Sequence, residues 1–453
     1  MAPPKTVVIV GGSLAGLMQG VYLKRHGSHV IILEQEPRAV RSGHQAGIGF
    51  GPAAEEFLHK YDRTGIQNCL PSVSTRIAWH KRAHFTEVQV KRNLTSWGLM
   101  YSILRANFDG LASVPVPNPP LPKEGDGKAE YWPGHRVTDL DYDKACGAVT
   151  VRFVGPDGAE GSLTAAFVIG ADGMNSTVRR IVGSHAVKEY SGYVAWRGTV
   201  PEKDLPSDVV EYFVNRTCLN VLGDTYIVIY VVPAESGSFE PGSRLINFVW
   251  YYNLPEGSDA LTEVLTDIEG RFHANTVPAG RVHPDVWRKH LAAKLPAMAA
   301  PYATLLSTAA VAPTGSDNGG KGSSAGIFVT KVNDVLNEKA AFFDGHLVLV
   351  GDALAAFRPH LALATEQAAR HCLDLARVWE QQGEEQEDDG KHTTKAAVHQ
   401  WATEAVTYGK RNWLLNRLLG LFGTGRRWEF CWTLCRYFAF LTRFKLGMGP
   451  RGY

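Results

Sequence analysis

The sequence predicts an α/β protein in which a parallel-sheet domain carries an inserted, mainly antiparallel β-sheet domain and ends in a helical C-terminal region. Three patterns predict it. Short apolar strands alternate with helical periodicity near the N-terminus; strand-like runs at 226–230 and 245–252 crowd the stretch from about 190 to 250; and after Asp352 the pattern turns helical and stays so.

With 453 residues, 45% of them apolar and 20% charged, the chain can bury core enough for two or three domains. Its formal charge of +2, from 47 basic and 45 acidic side chains, provides no overall field for gathering nucleic acid or another polyanion. Cys69, Cys146, Cys218, Cys372, Cys431 and Cys435 show no metal-ligand grouping, so no metal is expected, and their sparseness fits a reducing compartment. The chain enters the apolar run Val7-Val8-Ile9-Val10 too early to leave room for a signal peptide, and a cytoplasmic protein is expected. The segments 113–128 (Pro/Gly-rich), 314–326 (Gly/Ser-rich) and 383–390 (acidic) read as surface insertions. The stretch 428–446 is rich in Trp, Phe and Leu, but Glu429, Arg436, Arg443 and Lys445 interrupt it. It is therefore expected as an amphipathic helix packed on the body of the protein, with peripheral membrane contact as the alternative.

The first chemical motif follows the strand at Val7 to Val10. Gly11-Gly12-Ser13-Leu14-Ala15-Gly16 opens a helix, and a second strand ends at Glu34. Strand, tight turn, helix, strand and acid make a dinucleotide-binding unit. Gly11 permits the turn, Gly16 lets helix and strand pack closely, and the helix N-terminus offers free N–H groups to a pyrophosphate. Ser13 stands where a second glycine is usual, and its hydroxyl can itself donate to phosphate. Glu34 would accept a ribose diol and repel a 2′-phosphate, which selects FAD or NAD over NADP at this position.

Two further strands lead into Gly170-Ala171-Asp172-Gly173 and Gly351-Asp352-Ala353. With these three segments in this order the chain resembles the group A flavoprotein monooxygenases, the para-hydroxybenzoate hydroxylase class. The resemblance implies FAD as cofactor, with Asp172 near the pyrophosphate and the nicotinamide path and Asp352 on the ribitol. It also implies Arg41, in a mobile flavin loop, and Arg105, on a helix, as cofactor contacts able to neutralise the pyrophosphate. The run Ser191 to Pro201, Thr95-Ser96-Trp97 and Arg358-Pro359-His360 resemble the 2,6-dihydroxypyridine 3-monooxygenase branch more narrowly. The family pattern then places residues 1–76, 98–188 and 331–380 in an FAD-binding Rossmann-like domain. Strands from 77–97 and the body at 189–330 form the substrate domain, and 381–453 the helical C-terminal region.

One departure stands out. Where the family has a glycine-rich turn after Pro359, this chain has Leu361-Ala362-Leu363-Ala364-Thr365-Glu366. Ala362 is small enough to keep the backbone near a flavin, and Glu366 is expected to point away from it.

The activity implied by the resemblance is hydroxylation of an electron-rich aromatic or N-heteroaromatic ring, using NAD(P)H and O2 through a flavin C4a-hydroperoxide. The candidate bases are His360, Tyr193 and His44. Trp196, Arg197, Trp250 and Tyr252 are the candidate substrate contacts, because period-two reading sets Tyr193, Ala195 and Arg197 on one strand face and Phe248, Trp250 and Tyr252 on another. The alternatives are an epoxidase or dearomatising monooxygenase acting on a larger metabolite, and a non-catalytic binding protein on the same fold. A flavin-dependent halogenase would require Trp-x-Trp-x-Ile-Pro, which Trp196-Arg197-Gly198-Thr199-Val200-Pro201 matches only in part. A monomer or homodimer is expected.

Overall fold

The computed structural model describes residues 3–38, 46–81, 85–184, 186–309, 326–381 and 390–453. The strand Thr6–Val10 is covered on both faces, so Val7, Val8 and Ile9 are fully buried and it reads as an unbroken apolar run. Among the described residues its sheet runs Ala341–Phe342, Leu347–Leu349, Phe167–Gly170, Thr6–Val10, His29–Glu34, Ala129–Pro133, parallel except for the first pair. Val10 pairs with both Gly170 and Leu33, and Gly170 with Leu349. The three motif turns therefore leave the sheet side by side at the carboxyl ends of its strands, where open α/β sheets bind ligands.

Helices α1 (Leu14–Arg25), α2 (Pro52–Tyr61) and α3 (Trp97–Asp109) belong to this domain, and the short α4 (Thr177–Ile181) follows the second motif. The strands expected within 77–97 divide between two sheets. Ser74–Trp79 and Phe85–Val88 join the large antiparallel sheet, whereas Arg92–Ser96 pairs with Gly47–Phe50 and Leu70–Ser72. Leu94 of that strand packs on Tyr230, Val232 and Leu245, so the small sheet sits at the junction of the two domains.

The large sheet is built around Glu189–Pro201, Leu245–Asn253 and Thr225–Val232. Its register fixes which residues share a face. Trp196 lies opposite Trp250, while Ala195 lies opposite Tyr251, which in turn lies opposite Tyr226. The Trp196 face is closed by α5 (Ser207–Phe213), α6 (Asp259–Val264), α7 (Pro284–Lys294) and α8 (Ala300–Thr308). The opposite face, with Tyr193, Ala195, Tyr226 and Tyr251, turns toward the loop Pro359–Leu361 and the end of the chain.

Three helices complete the chain: α9 (Ala364–Gln381), which packs across α1 and α2, α10 (Gly390–Gly423) and α11 (Arg427–Lys445), which pack on one another. Among the described residues no helix is long and apolar enough to cross a membrane.

Candidate active site

The nucleotide half of the site is a cavity of about 230 Å³ whose walls include Gly11, Ser13, Glu34, Asp172 and Gly173. Gly11 has φ +104°, and a Cβ there would lie 2.5 Å from the Ala171 carbonyl oxygen; a Cβ on Gly16 would lie 2.0 Å from the Gly11 carbonyl oxygen. Both positions therefore require glycine. Ser13 caps α1 without a side-chain hydrogen bond, and the first turn of α1 holds no acid, so hydroxyl and helix terminus are free for an anion. Glu34 is buried; its Oε2 accepts from the Gly12 N–H at 2.8 Å and its Oε1 from the Glu36 N–H at 2.9 Å. It shapes the glycine turn while it lines the cavity. The cavity also has Gln35, Arg136, Val137 and Thr177 in its walls. These lie outside any motif, and only the pairing of His29–Glu34 with Ala129–Pro133 brings the chain past 136 to the site.

Asp172 is spent on local structure. It accepts from Ser176 Oγ at 2.5 Å and from the Thr177 and Val178 N–H groups at 2.6 and 3.0 Å, which caps α4. Burial pushes its carboxyl up, and those hydrogen bonds oppose the rise. Arg179 was missed by the motif reading. It donates to the Ala353 carbonyl at 2.8 Å and the Met174 carbonyl at 2.6 Å, tying the second motif turn to the third. Gly351 donates its N–H to Nδ1 of buried His371 at 3.0 Å, a contact across 20 residues that no motif signals.

Asp352 is different. Among the described residues no donor meets its carboxylate, and burial alone pushes its pKa up to about 6. A half-buried acid beside a glycine with φ +56° and without a donor among the described residues is suited to ligand hydroxyls. Together with the cradle at Gly11 and Gly16, this fits the ribitol and diphosphate of FAD.

Arg105 is held by its neighbours on and beside α3. Its Nε and Nη2 pair with Asp109 one turn on, at 3.1 and 2.7 Å, its Nη1 donates to Tyr101 at 2.7 Å, and it lies 3.6 Å over the Tyr131 ring. Asp109 at i+4 offsets the charge, and the Tyr131 hydroxyl in turn donates to the Gly12 carbonyl at 3.1 Å. Arg41 and His44 lie outside the described residues.

The turn after Pro359 is held from two sides. Leu361 donates its N–H to Asn416 Oδ1 at 2.9 Å, and its carbonyl accepts from Arg92 at 2.8 Å. Ala362 takes φ +52°, the left-handed conformation for which the usual residue is glycine. Glu366 turns away from this loop: its carboxylate accepts from the N–H groups of Gly51, Ala53 and Ala54 at 3.0, 2.9 and 3.1 Å and so caps α2.

His360 lies between two phenols. Nε2 is 2.7 Å from the Tyr193 hydroxyl, Nδ1 is hydrogen-bonded to the Tyr226 hydroxyl, and the Tyr251 ring centroid is 4.4 Å away. Burial, with the nearby Arg358 guanidinium, holds the imidazole well below its ordinary range, so it is neutral at neutral pH. Arg358 is fixed by Asp334 at 2.6 Å, which also binds Arg417 of α10. Helix α10 closes over the group. A Cβ on Gly420 would lie 2.3 Å from His360 Nε2, and one on Gly423 would lie 2.4 Å from the Tyr226 ring. Tyr226, Gly420 and Gly423 were not anticipated; they come from a different strand and from the tail.

Of the expected substrate contacts, only Arg197 shares this face. Trp196 and Trp250 are fully buried on the other side, where both pack on Trp287, and Tyr252 packs there on Trp250 and His290. They are core residues under α7, because the pairing of Trp196 with Trp250 fixes both to one face. Arg197 instead presents a buried Nε that has no partner among the described residues, and its charge tempers the burial that pushes Tyr230 up to about 12. On the same face Asn247 accepts from the Gly47 N–H at 3.0 Å and leaves its own Nδ2 without a partner among the described residues.

A family profile described as FAD binding domain-like matches residues 190–313. The 2,6-dihydroxypyridine 3-monooxygenase of Paenarthrobacter nicotinovorans is 27% identical over 89% of this chain and 87% of its own length. The 6-hydroxynicotinate 3-monooxygenase of Bordetella bronchiseptica is 27% identical over 43% of this chain and 48% of its own. In fold, the chain is similar to the solved 2,6-dihydroxypyridine-3-hydroxylase of Arthrobacter nicotinovorans, with a TM-score of 0.73 and 24% identity over 94% of both chains.

Proposed function

We propose that this chain, a member of the FAD-dependent aromatic monooxygenase family, hydroxylates a small electron-rich aromatic or N-heteroaromatic ring bearing an acidic hydroxyl. The observation that carries the reading is the neutral His360 held between Tyr193 and Tyr226. FAD, when bound and reduced by NAD(P)H, supplies the activation of O2 that places one oxygen atom on the ring. The chain supplies the rest.

Gly11, Ser13 and the start of α1 hold the diphosphate, Glu34 the ribose and Asp352 the ribitol. Arg197 Nε and Asn247 Nδ2, which have no partner among the described residues, bring donors to the sheet face and orient the oxygen substituents of the ring. As a ring hydroxyl gives its proton to the Tyr193 oxygen, Tyr193 passes its own proton to the neutral Nε2 of His360, and the Nδ1–H of His360 donates a hydrogen bond to the Tyr226 oxygen. A low-pKa imidazole suits a relay that holds no proton for long. Helix α10, through Gly420, excludes water from the relay.

The described cysteines are all unpaired, which supports a reducing compartment such as the cytoplasm. Incubating the FAD-loaded protein with NAD(P)H and a panel of hydroxypyridines, hydroxynicotinates and hydroxybenzoates tests the reading. It predicts substrate-stimulated NAD(P)H oxidation and a product heavier by one oxygen. Flavin that is bound and reducible, yet unresponsive to every ring in the panel, contradicts it.

A further inference from the structure

Helix α11 turns one side to α10 and leaves the other uncovered. Thr433 and Phe440 are buried, whereas Trp428 is 82% and Trp432 62% exposed. At about 100° per residue, Trp428, Trp432, Cys435, Ala439 and Leu446 point the same way, and no charged residue falls among them. Phe422 near the end of α10 is also exposed; it meets Trp79 edge-on at 6.2 Å and Phe430 of α11 at 6.2 Å.

The charges of the helix sit at the margins of this face. Arg427 and Lys445 flank it on one side and Arg436 and Arg443 on the other, and among the described residues none of the four makes an ion pair. The helix has a single acid, Glu429, and it is engaged by Arg426. On the Arg436 side a cavity of about 380 Å³ opens between α10 and α11, with Arg436, Arg443 and Lys410 in its walls. Its one carboxylate, Glu338, is taken by Lys410 at 2.7 Å.

We propose that α11 seats the protein on an anionic phospholipid surface. The helix lies in the plane of the interface with Trp428, Trp432 and Leu446 among the acyl chains, and Arg436 and Arg443 bind headgroup phosphates at the mouth of the adjoining cavity. The overall charge of the chain, near zero, gives no such attraction; the local arrangement does. A second copy of the chain fits this face poorly. A two-fold contact would set the unpaired cations of one helix against those of the other, with no free acid to offset them.

The test uses full-length, flavin-loaded protein and sedimentation with two vesicle types, phosphatidylcholine alone and phosphatidylcholine with one third phosphatidylserine. The expected result is binding at least roughly tenfold tighter to the anionic vesicles, weakened by added salt. Trp428→Ser with Trp432→Ser should lose roughly tenfold or more on anionic vesicles, and Arg436→Gln with Arg443→Gln should remove most of the salt-dependent part. Flavin absorbance and Tm report whether each variant is folded, and the comparison of the two vesicle types on the unmodified protein depends on no variant. Equal or absent binding to both vesicle types overturns the proposal. So does a dimer in sedimentation velocity that Trp428→Ser with Trp432→Ser dissociates, if the unmodified protein ignores anionic vesicles.

Discussion

The hydroxyl of Tyr193 and Nε2 of His360 are 2.7 Å apart, although 167 residues separate them in the chain. With Tyr226 on the other ring nitrogen, the pair gives the site a neutral acceptor for a substrate proton. His360→Ala and Tyr226→Phe should each lower kcat by about 10²-fold or more while the bound-flavin spectrum stays unchanged. Since burial and Arg358 keep His360 well below 6.5, any acid limb it imposes on kcat falls below that pH, with a plateau above it. Steady-state kinetics from pH 5 to 8 checks both points.

Arg197 and Trp250 separate substrate contact from core. Arg197→Gln should raise KM for a ring with an ionised substituent by roughly 10-fold to 100-fold, with little change in Tm. Trp250→Ala should instead cost about 3–5 kcal/mol of stability, because it empties a fully buried site against Trp287. Melting curves with substrate titrations distinguish the two.

The two motif aspartates should part in the same way. Asp352 has no protein donor among the described residues, so Asp352→Asn should weaken FAD binding by roughly tenfold or more while the Tm of the flavin-free protein holds or rises. Asp172 caps α4 through three hydrogen bonds, so Asp172→Ala should lower that Tm, at a cost of about 1–2 kcal/mol. Flavin fluorescence titration and calorimetry read the difference.

Glu366 predicts a stability effect and not a catalytic one. Its carboxylate holds three N–H groups at the start of α2, so Glu366→Ala should cost about 1–3 kcal/mol by urea denaturation, with kcat retained.

His371 predicts a pH dependence. Burial lowers its pKa from 6.5 to about 3, so between those values the unfolded chain binds a proton that the folded chain does not. Stability from this residue is therefore complete above pH 6.5 and is lost as the pH falls toward 3, by at most about 1.4 kcal/mol per unit. His371→Gln, melted alongside the unmodified protein at pH 7 and pH 5, should show the smaller drop in Tm.

The parallel sheet was legible because its signals are local. Val7 to Val10, the glycines at 11 and 16 and the acid at 34 lie within one continuous unit, and the structure places them as that unit requires. Faces of the antiparallel sheet were legible as alternations but not as directions. Period two groups Trp250 with Tyr252 and Tyr193 with Arg197, yet only the packing of α7 decides which group is covered. Tyr226 and Gly420 escaped for a related reason, since each joins His360 only through tertiary contacts, from a neighbouring strand and from a helix near the chain end. The pairing of Arg105 with Asp109 escaped as well, because a motif position does not show an acid one turn away.

The most direct test of the central claim is a coupled assay under 18O2, in which NAD(P)H oxidation and product mass are followed together for a hydroxypyridine. The account predicts that oxidation accelerates with the ring and that the product carries one 18O, with His360→Ala reducing product formation far more than flavin binding. A product without 18O, or unchanged product formation by His360→Ala, would contradict it.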